Sequence, residues 1–311
     1  MHGLVVRNTG SWYSIMTDDG NSWEAKVKGN FRIKGIRSTN PVAIGDRVEF
    51  TPLTDNTGLI SSIDDRKNYV IRKSTNLSKQ SHILAANVDQ CFLIVTLTQP
   101  ETSTTFIDRF LASAEAYRIP VVIVINKTDL LDNEGRELLD AVVNLYKTIG
   151  YQCRTVSALT GEGTEELRQM LRGNITLLSG NSGVGKSTLI NTLYPGMNLK
   201  TAEISNAYKM GRHTTTFSEM FPIEGGGYII DTPGIKGFGT FDIEPEEVGH
   251  YFKEIFHFSE GCRFGNCTHT HEPGCAVIEA VERHDISQSR YNSYLSMLND
   301  HDEDRYRHKQ R

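Results

Sequence analysis

One short stretch limits the possible folds of this 311-residue chain more than any other part of it. Its residues have the spacing G-x-x-x-x-G-K-S, and they follow an apolar run at residues 175–178. Such a loop needs a strand before it and a helix after it, because backbone N–H groups and the positive helix end hold phosphate together. The pattern therefore predicts an α/β phosphate-binding domain with a loop made of Gly180, Asn181, Ser182, Gly183, Val184, Gly185, Lys186 and Ser187, followed by Thr188.

The residues of this loop predict a nucleoside triphosphate with Mg²⁺ as the ligand. Lys186 is expected to reach the β- and γ-phosphates, and the Ser187 hydroxyl is expected to bind Mg²⁺. An Asp-Thr-Pro-Gly motif follows the apolar residues 228–230 and begins 44 residues after Ser187. At the end of a strand beside the loop, Asp231 can hold the same Mg²⁺, and the N–H of Gly234 can contact the γ-phosphate.

Two other loops predict that the base is guanine. The first, which follows the apolar residues 120–125, consists of Asn126, Lys127, Thr128 and Asp129. A carboxylate there can accept two hydrogen bonds from the N1–H and the 2-amino group of guanine, and adenine has no such pair of donors. The second loop contains Ser157 and Ala158, and it can add a backbone N–H to the same base.

The order of these motifs along the chain is unusual. In most GTP-binding proteins the phosphate loop comes first, but here both guanine loops precede it. The same spatial arrangement is kept if the chain is circularly permuted, since the termini of compact domains often lie close together. The loop after Asp231 then leads directly into the C-terminal region, which connects a γ-phosphate sensor to a separate module.

The N-terminal region has a different pattern. Short strand-like runs separated by turns predict a small OB-fold barrel over residues 1–73. Residues 1–80 carry 12 basic and 8 acidic side chains, whereas the whole chain has a net charge of −5. The total excludes a uniformly basic nucleic-acid coat but allows local RNA binding by the barrel. Its aromatic residues fit either base stacking or the core: Trp12, Tyr13, Trp23 and Phe31.

The C-terminal region, residues 242–311, has a helical pattern and a cysteine cluster. Helices are predicted over residues 244–256, 276–283 and 288–298, followed by a charged, frayed tail at 301–311. Three thiols and an imidazole within 14 residues are enough for a closed tetrahedral Zn²⁺ site, and His271 is an alternative imidazole ligand. The predicted ligands are Cys262, Cys267, His269 and Cys275. Cys91 and Cys153 lie in apolar runs and are expected to be buried thiols.

Hydropathy indicates a cytoplasmic protein without a membrane segment. Hydrophobic residues make up 38% of the chain, which is enough for packed cores. The first residues lack the pattern of a signal peptide, and the strongly apolar runs, such as residues 119–125, have the length of strands. A soluble multidomain protein is therefore expected.

Together with Gly-Arg-His-Thr-Thr-Thr at residues 211–216, these motifs resemble the circularly permuted GTPases of the RsgA (YjeQ/YloQ) family. The resemblance covers nearly the whole chain. It implies an RNA-binding OB-fold at residues 1–73, a permuted GTPase domain at 74–241 and a helical zinc-binding domain at 242–311. It further implies binding of the 30S subunit and its 16S rRNA, and hydrolysis of GTP to GDP stimulated by the subunit during late maturation. One structural Zn²⁺, Mg²⁺ with GTP or GDP, and a monomeric state are expected, and the family pattern favours His269 over His271.

The hydrolytic residues differ from the Ras-like pattern. Ras-like enzymes place a glutamine after the Asp-x-x-Gly glycine to orient the attacking water, but this chain has Ile235 there. His213 is the nearest replacement, because an imidazole can position water or accept its proton. Thr215 is favoured among the adjacent threonines as the one that closes on Mg²⁺. Two alternatives stay open: an RNA-binding adaptor regulated by GTP without catalysis, and another permuted GTPase of ribosome assembly.

Overall fold

The structure is a computed structural model that describes residues 1–28, 41–73, 81–197, 219–231 and 244–309. Its first five strands form a closed barrel, because β1 pairs with both β2 and β4 and the order is β1-β2-β3-β5-β4. Alternate residues of these strands point inward, and the barrel core includes Val5, Ile15, Phe50 and Ile60. The predicted N-terminal barrel is therefore confirmed. The strands are β1 (His2–Asn8), β2 (Tyr13–Met16), β3 (Ser22–Val27), β4 (Arg47–Pro52) and β5 (Thr57–Ile63).

An antiparallel pair, β6 (Tyr69–Lys73) and β7 (Ser81–Ala86), follows the barrel, and the predicted domain boundary after residue 73 falls between these two strands. The barrel packs closely on β7. A Cβ at Gly45 would lie 2.0 Å from the carbonyl oxygen of Ala86, so only glycine fits there. A buried ion pair joins Arg66 Nη2 to Asp46 Oδ2 at 2.6 Å.

The central domain contains a six-stranded sheet in the order β10-β9-β8-β11-β13-β12. All neighbouring strands are parallel except β12, which is antiparallel to β13. The strand before the phosphate loop, β11, lies in the middle of the sheet although three strands of this sheet precede it in the chain. The strands are β8 (Gln90–Val95), β9 (Val121–Ile125), β10 (Gln152–Thr155), β11 (Ile175–Ser179), β12 (Glu219–Pro222) and β13 (Tyr228–Asp231).

Helices cover both faces of this sheet, which explains why its strands are almost continuously apolar. Along β8, Cys91, Leu93 and Val95 face one core, and Phe92 and Ile94 face the other. Residues of α1 and α2 belong to the first core, and residues of α3 and α4 belong to the second. The helices are α1 (Thr104–Ala116), α2 (Asn133–Ile149), α3 (Thr164–Leu171) and α4 (Lys186–Leu193).

The barrel and the central sheet share backbone pairing. Strand β1 pairs antiparallel with β12, with Arg7 opposite Glu219. This pairing extends the central sheet into the barrel, and the combined sheet has 11 strands.

The C-terminal region is helical, but two predicted boundaries are wrong. The helix predicted over residues 244–256 is broken, because Phe252 is extended (φ −105°, ψ 103°) and buries its ring 5.7 Å from that of Tyr294. The helix predicted to end at residue 298 continues to Lys309, since residues 299–309 contain neither glycine nor proline. The helices are α5 (Pro245–Val248), α6 (Lys253–Ser259), α7 (Ala276–Glu282) and α8 (Gln288–Lys309).

A buried charge network fixes this C-terminal module on α1. Arg290 is fully buried and donates from Nη1 to Asp108 Oδ1 at 2.9 Å and from Nε to Glu254 Oε1 at 2.6 Å. The Asp108 carboxylate also accepts hydrogen bonds from Ser293 Oγ (2.6 Å) and from Tyr146 Oη (2.8 Å). Although burial opposes its charge, Glu254 and Asp108 hold the pKa of Arg290 above its ordinary value.

Within the described part of the chain, no helix combines the length and apolar character needed to span a membrane.

Candidate functional site

Three of the predicted loops meet at one edge of the central sheet. They follow β9, β10 and β11, and parallel strands bring their carboxyl ends to the same edge. The backbone of Asp231, at the end of β13, lies opposite Leu178 of β11 and therefore also reaches this edge. The permuted chain order thus leaves the motifs together in space.

The phosphate loop has a backbone that requires glycine at two points. Gly180 has φ +141°, and a Cβ there would lie 2.2 Å from the carbonyl oxygen of Ile94. Gly185 has φ +91°, and a Cβ there would lie 2.5 Å from Nδ2 of Asn126. These two contacts explain why both positions must be glycine, since a side chain at either one would push neighbouring loops apart.

Lys186 is the first residue of α4, and its ammonium group lies inside the loop. Its Nζ donates to the carbonyl oxygens of Gly180 (2.8 Å) and Asn181 (2.7 Å). The loop is therefore curled around a positive charge at the N-terminus of a helix, which is the arrangement that binds phosphate.

Asn126 connects two of the three loops. Its Nδ2 donates to the Val184 carbonyl oxygen at 2.9 Å, and its Oδ1 accepts from the Ala158 N–H at 3.0 Å. The side chain is only 3% exposed. Both ends of the Asn126 amide are thus bonded within the protein, which braces the phosphate loop against the loop of Ser157 and Ala158.

Asp129 is exposed and is oriented by a neighbouring hydroxyl. Ser157 Oγ donates to Asp129 Oδ1 at 2.6 Å and accepts from the Thr160 N–H at 3.1 Å. Because the hydroxyl proton is directed at one carboxylate oxygen, the carboxylate has a fixed orientation. Lys127, between these residues, has φ +65°, and its Nζ donates to the carbonyl oxygen of Gln99.

Several predicted residues lie outside the described part of the chain: Gly211, Arg212, His213, Thr214, Thr215, Thr216, Gly234 and Ile235. Ser187 and Thr188 lie in the first turn of α4, next to the loop. The structure thus brings together the residues predicted for the guanine and phosphate loops, and the prediction for His213 stays a prediction.

The C-terminal module brings the four predicted metal ligands together. One ligand atom from each of Cys262, Cys267, His269 and Cys275 lies within 4.8 Å of the others. His269 Nδ1 is 3.4 Å from Cys275 Sγ and 3.5 Å from Cys262 Sγ. His271 is exposed and is not in this cluster. Three sulfur atoms and one nitrogen at these separations fit a tetrahedral Zn²⁺ site.

The environment of the cluster supports metal binding. Burial lowers the pKa of His269, so its imidazole is neutral and can act as a ligand. Burial also raises the pKa of the Cys267 thiol to about 12, and a metal ion that binds there has to displace the thiol proton. Tyr291 Oη and Tyr294 Oη donate to the carbonyl oxygens of His269 (2.6 Å) and Thr268 (2.7 Å), which ties the ligand loop to α8.

The aromatic residues of the barrel were predicted either to stack on bases or to belong to the core, and the structure distinguishes between them. Tyr13 is 2% exposed and belongs to the barrel core, and Trp23 packs against Phe50 with 5.6 Å between ring centroids. Trp12 is 36% exposed, and Lys26 Nζ lies 4.3 Å from the centroid of its ring. Phe31 lies outside the described residues. Of the three described rings, Trp12 is therefore the most exposed and the best candidate for stacking.

Residues around Asp108, Glu254 and Arg290, and the loop of Gln99 and Pro100, were not indicated by any sequence motif. Both predicted structural thiols, Cys91 and Cys153, are buried in their strands. The missed charge network leaves no local pattern, because Asp108 and Arg290 are 182 residues apart.

Comparison with known proteins shows the family to which the chain is similar. The family models described as RsgA GTPase and RsgA N-terminal domain match residues 63–241 and 2–60. The small ribosomal subunit biogenesis GTPase RsgA of Bacteroides fragilis is 66% identical over 307 residues, covering 99% of both chains. The protein of the same name from Azobacteroides pseudotrichonymphae is 55% identical, again covering 99% of both chains.

Two solved structures have the same fold. YjeQ from Thermotoga maritima matches with a TM-score of 0.79 and 38% identity, covering 96% of this chain and 97% of that one. YloQ, described as a circularly permuted GTPase, matches with a TM-score of 0.75 and 29% identity, covering 96% of this chain and 94% of that one. The circular permutation predicted from motif order is therefore confirmed.

Proposed function

Because the chain belongs to the RsgA GTPase family, we propose that it binds the small ribosomal subunit and hydrolyses GTP in the biogenesis of that subunit. It is a GTP hydrolase of small-subunit biogenesis. The observation that supports this most directly is the pairing of a guanine-type carboxylate, Asp129 held by Ser157, with a phosphate loop braced by Asn126.

The proposed nucleotide contacts follow from this geometry. Asp129 accepts hydrogen bonds from the guanine edge, and the backbone N–H groups of the loop after β11 hold the phosphates together with Lys186. Asn126 acts through the loops it braces, because both ends of its amide are engaged within the protein. We therefore assign base selection to Asp129 and positioning to Asn126.

Mg²⁺ fits the oxygen donors that the chain offers at this edge. Ser187 lies in the first turn of α4, and Asp231 ends the neighbouring strand β13. Hydroxyl and carboxylate oxygens are ligands that Mg²⁺ prefers, and we propose these two together with Thr215. When bound, Mg²⁺ neutralises charge that develops on the phosphates during hydrolysis.

Single-turnover hydrolysis tests the proposal against the adaptor alternative. GTP is mixed with excess protein, with and without 30S subunits, and inorganic phosphate is measured over time. We expect slow turnover by the free protein, since Ile235 cannot bind the attacking water, and a marked increase with subunits. A protein that binds GTP but does not hydrolyse it faster with subunits would instead be a GTP-regulated adaptor.

We propose His213 as the residue that positions the attacking water. His213→Ala should lower the subunit-stimulated rate by about 100-fold, the scale of one general acid–base contribution, without changing GDP affinity. The same single-turnover assay measures the rate, and His2→Ala in the barrel provides a histidine control. An unchanged stimulated rate in His213→Ala would exclude this role.

We propose one structural Zn²⁺ held by Cys262, Cys267, His269 and Cys275. Elemental analysis should find about one zinc per chain, and chelation should unfold the C-terminal module, because a closed zinc site contributes directly to folding. The decrease of the helical circular dichroism signal measures this unfolding. Cys275→Ala should lose the metal, whereas Cys153→Ala, which removes a thiol outside the cluster, should keep it. A module that stays folded after complete metal removal contradicts a structural role.

We propose that the barrel contributes a contact to 16S rRNA. The exposed Lys26 and Lys28 belong to the basic N-terminal segment, and Lys26 lies over the exposed ring of Trp12. Arg32 and Lys34, which belong to the same basic segment of the sequence, lie outside the described residues. The protein is further proposed to be cytoplasmic, because its partner is a ribosomal subunit, and to be a monomer.

Reversing the charge of the barrel surface should weaken subunit binding. The double variant Lys26→Glu, Lys28→Glu should lose about tenfold or more in 30S affinity, and the loss should shrink at high salt, because phosphate contacts release counterions. Co-sedimentation gives the affinity. Arg136→Glu with Lys147→Glu, on the exposed side of α2, makes the same charge change elsewhere. Equal affinity of the two double variants would place the contact on another surface.

A further inference from the structure

The loop between β8 and α1, residues 97–102, lies directly against the nucleotide site although it belongs to none of the nucleotide motifs. Pro100 Cδ is 3.3 Å from the position that a Cβ would take on Gly183 of the phosphate loop. The carbonyl oxygen of Gln99 accepts a hydrogen bond from Lys127 Nζ in the guanine loop. Pro100 therefore lies next to the phosphate loop, and Gln99 is hydrogen-bonded to the guanine loop.

This loop is held by internal hydrogen bonds and is followed directly by α1. Thr96 Oγ1 donates to the Pro100 carbonyl oxygen at 2.5 Å, and the Thr102 N–H donates to the Thr96 carbonyl oxygen at 2.8 Å. Ser103 then caps α1 by accepting from the Phe106 N–H at 3.3 Å. Because these bonds fix the loop to the first turn of the helix, a displacement of α1 also displaces Pro100.

Besides packing on the central sheet through residues such as Ile107 and Leu111, α1 contacts the C-terminal module that contains the zinc ligands, called the zinc module below. Asp108, fully buried, is bonded to Arg290 and Ser293 of α8. Ala112 lies in the hydrophobic core of the module, and Glu115 pairs with Lys253 Nζ at 2.9 Å. One helix thus contacts the nucleotide loops through its preceding loop and the zinc module through its side chains.

We propose that Gln99 and Pro100 are positioning residues of the nucleotide site, and that the docking of the zinc module on α1 holds them in place. This inference rests on the proposed guanine-nucleotide site. It assigns to the module a regulatory effect: when its contacts with α1 are intact, the phosphate loop and Lys127 are held and bound GDP is retained. When those contacts weaken, the loop at Pro100 relaxes and GDP leaves faster.

Dissociation of fluorescent mant-GDP from the full-length protein tests this directly. Pro100→Gly should increase the dissociation rate by about tenfold, equivalent to about 1.4 kcal/mol. Pro100→Ala, which keeps part of the packing, should give a smaller increase. Pro120→Gly is the matched control, because Pro120 precedes β9 at the opposite end of the sheet. In steady-state assays Pro100→Gly should raise KM for GTP and leave kcat unchanged.

The zinc module is tested through Ser293→Ala, which removes one of the hydrogen bonds to Asp108 and leaves those from Arg290 and Tyr146. It should increase the dissociation rate about threefold, and Ser296→Ala, which loses a bond only within α8, should not. The double variant Pro100→Gly, Ser293→Ala should dissociate no faster than Pro100→Gly alone, because both changes act through one contact.

Three results would overturn the inference while leaving the proposed function intact. They are a Pro100→Gly rate equal to that of Pro120→Gly, a Ser293→Ala rate equal to that of Ser296→Ala, and rate effects that multiply in the double variant. Failure of the unmodified protein to bind mant-GDP would instead contradict the proposed guanine-nucleotide site. Thermal unfolding of each variant confirms that the rates refer to folded protein.

Discussion

Asp129→Asn should weaken GTP binding by about 100-fold or more and should improve binding of xanthosine triphosphate. The asparagine replaces one acceptor oxygen by a donor, so it cannot accept both hydrogen bonds of guanine, and the loss of a charged hydrogen bond costs about 3 kcal/mol. Xanthine has a carbonyl where guanine has an amino group, and the new amide can donate to it. Competition against mant-GDP gives both affinities.

A second carboxylate in the same loop provides the control. Asp132 caps α2 by accepting from the Gly135 N–H at 2.8 Å, and asparagine performs this task equally well. Asp132→Asn should therefore bind GTP as the unmodified protein does. If Asp129→Asn keeps the preference for GTP over xanthosine triphosphate, another group selects the base.

Arg290→Met should lower the free energy of unfolding by about 3–5 kcal/mol, because it leaves two buried carboxylates without their cation. Asp108 is fully buried, and Glu254 is 10% exposed at its side chain, so neither can be solvated where it lies. Urea unfolding followed by far-ultraviolet circular dichroism measures the decrease in the free energy of unfolding. The C-terminal helices should unfold at lower denaturant concentration than the rest.

The matched surface variant, Arg283→Met, should change the free energy of unfolding very little. Arg283 pairs with Asp285 at 3.1 Å and is exposed, and such pairs contribute at most about 1 kcal/mol. Adding Asp108→Asn and Glu254→Gln to Arg290→Met should restore part of the stability, since the uncompensated charges are then removed. A loss in Arg290→Met no larger than in Arg283→Met would show that the network does not fix the module.

The nucleotide loops could be predicted because the ligand restricts the residues. A loop that curls around phosphate packs closely against its neighbours, which explains Gly180 and Gly185, and guanine needs an acceptor such as Asp129. Alternation of apolar strands with amphipathic helices predicted the sheet for a similar reason, since burial on both faces leaves a clear pattern. The zinc ligands could be predicted because thiols and an imidazole occur at short spacing.

Other features could not be predicted because they depend on contacts distant in sequence. The break at Phe252 interrupts a stretch with helical periodicity, and burial against Tyr294 in a helix that begins 36 residues later decides its conformation. Asn126 belongs to a guanine motif by sequence, yet only the structure shows its amide bonded to Val184 and Ala158. Pro100 looks like an ordinary loop residue until the fold places it beside Gly183.

The pairing of β1 with β12 has a consequence for how partners can attach. An exposed sheet edge can recruit a strand from another chain, which serves some complexes and also starts aggregation. Here β1 already pairs with the β12 edge at Arg7 and Glu219, and the barrel closes on itself through the pairing of β1 with β4. Within the described residues, the sheet ends at the four-residue strand β10. Recognition of a large particle through this sheet then depends on side chains and loops more than on the addition of a strand.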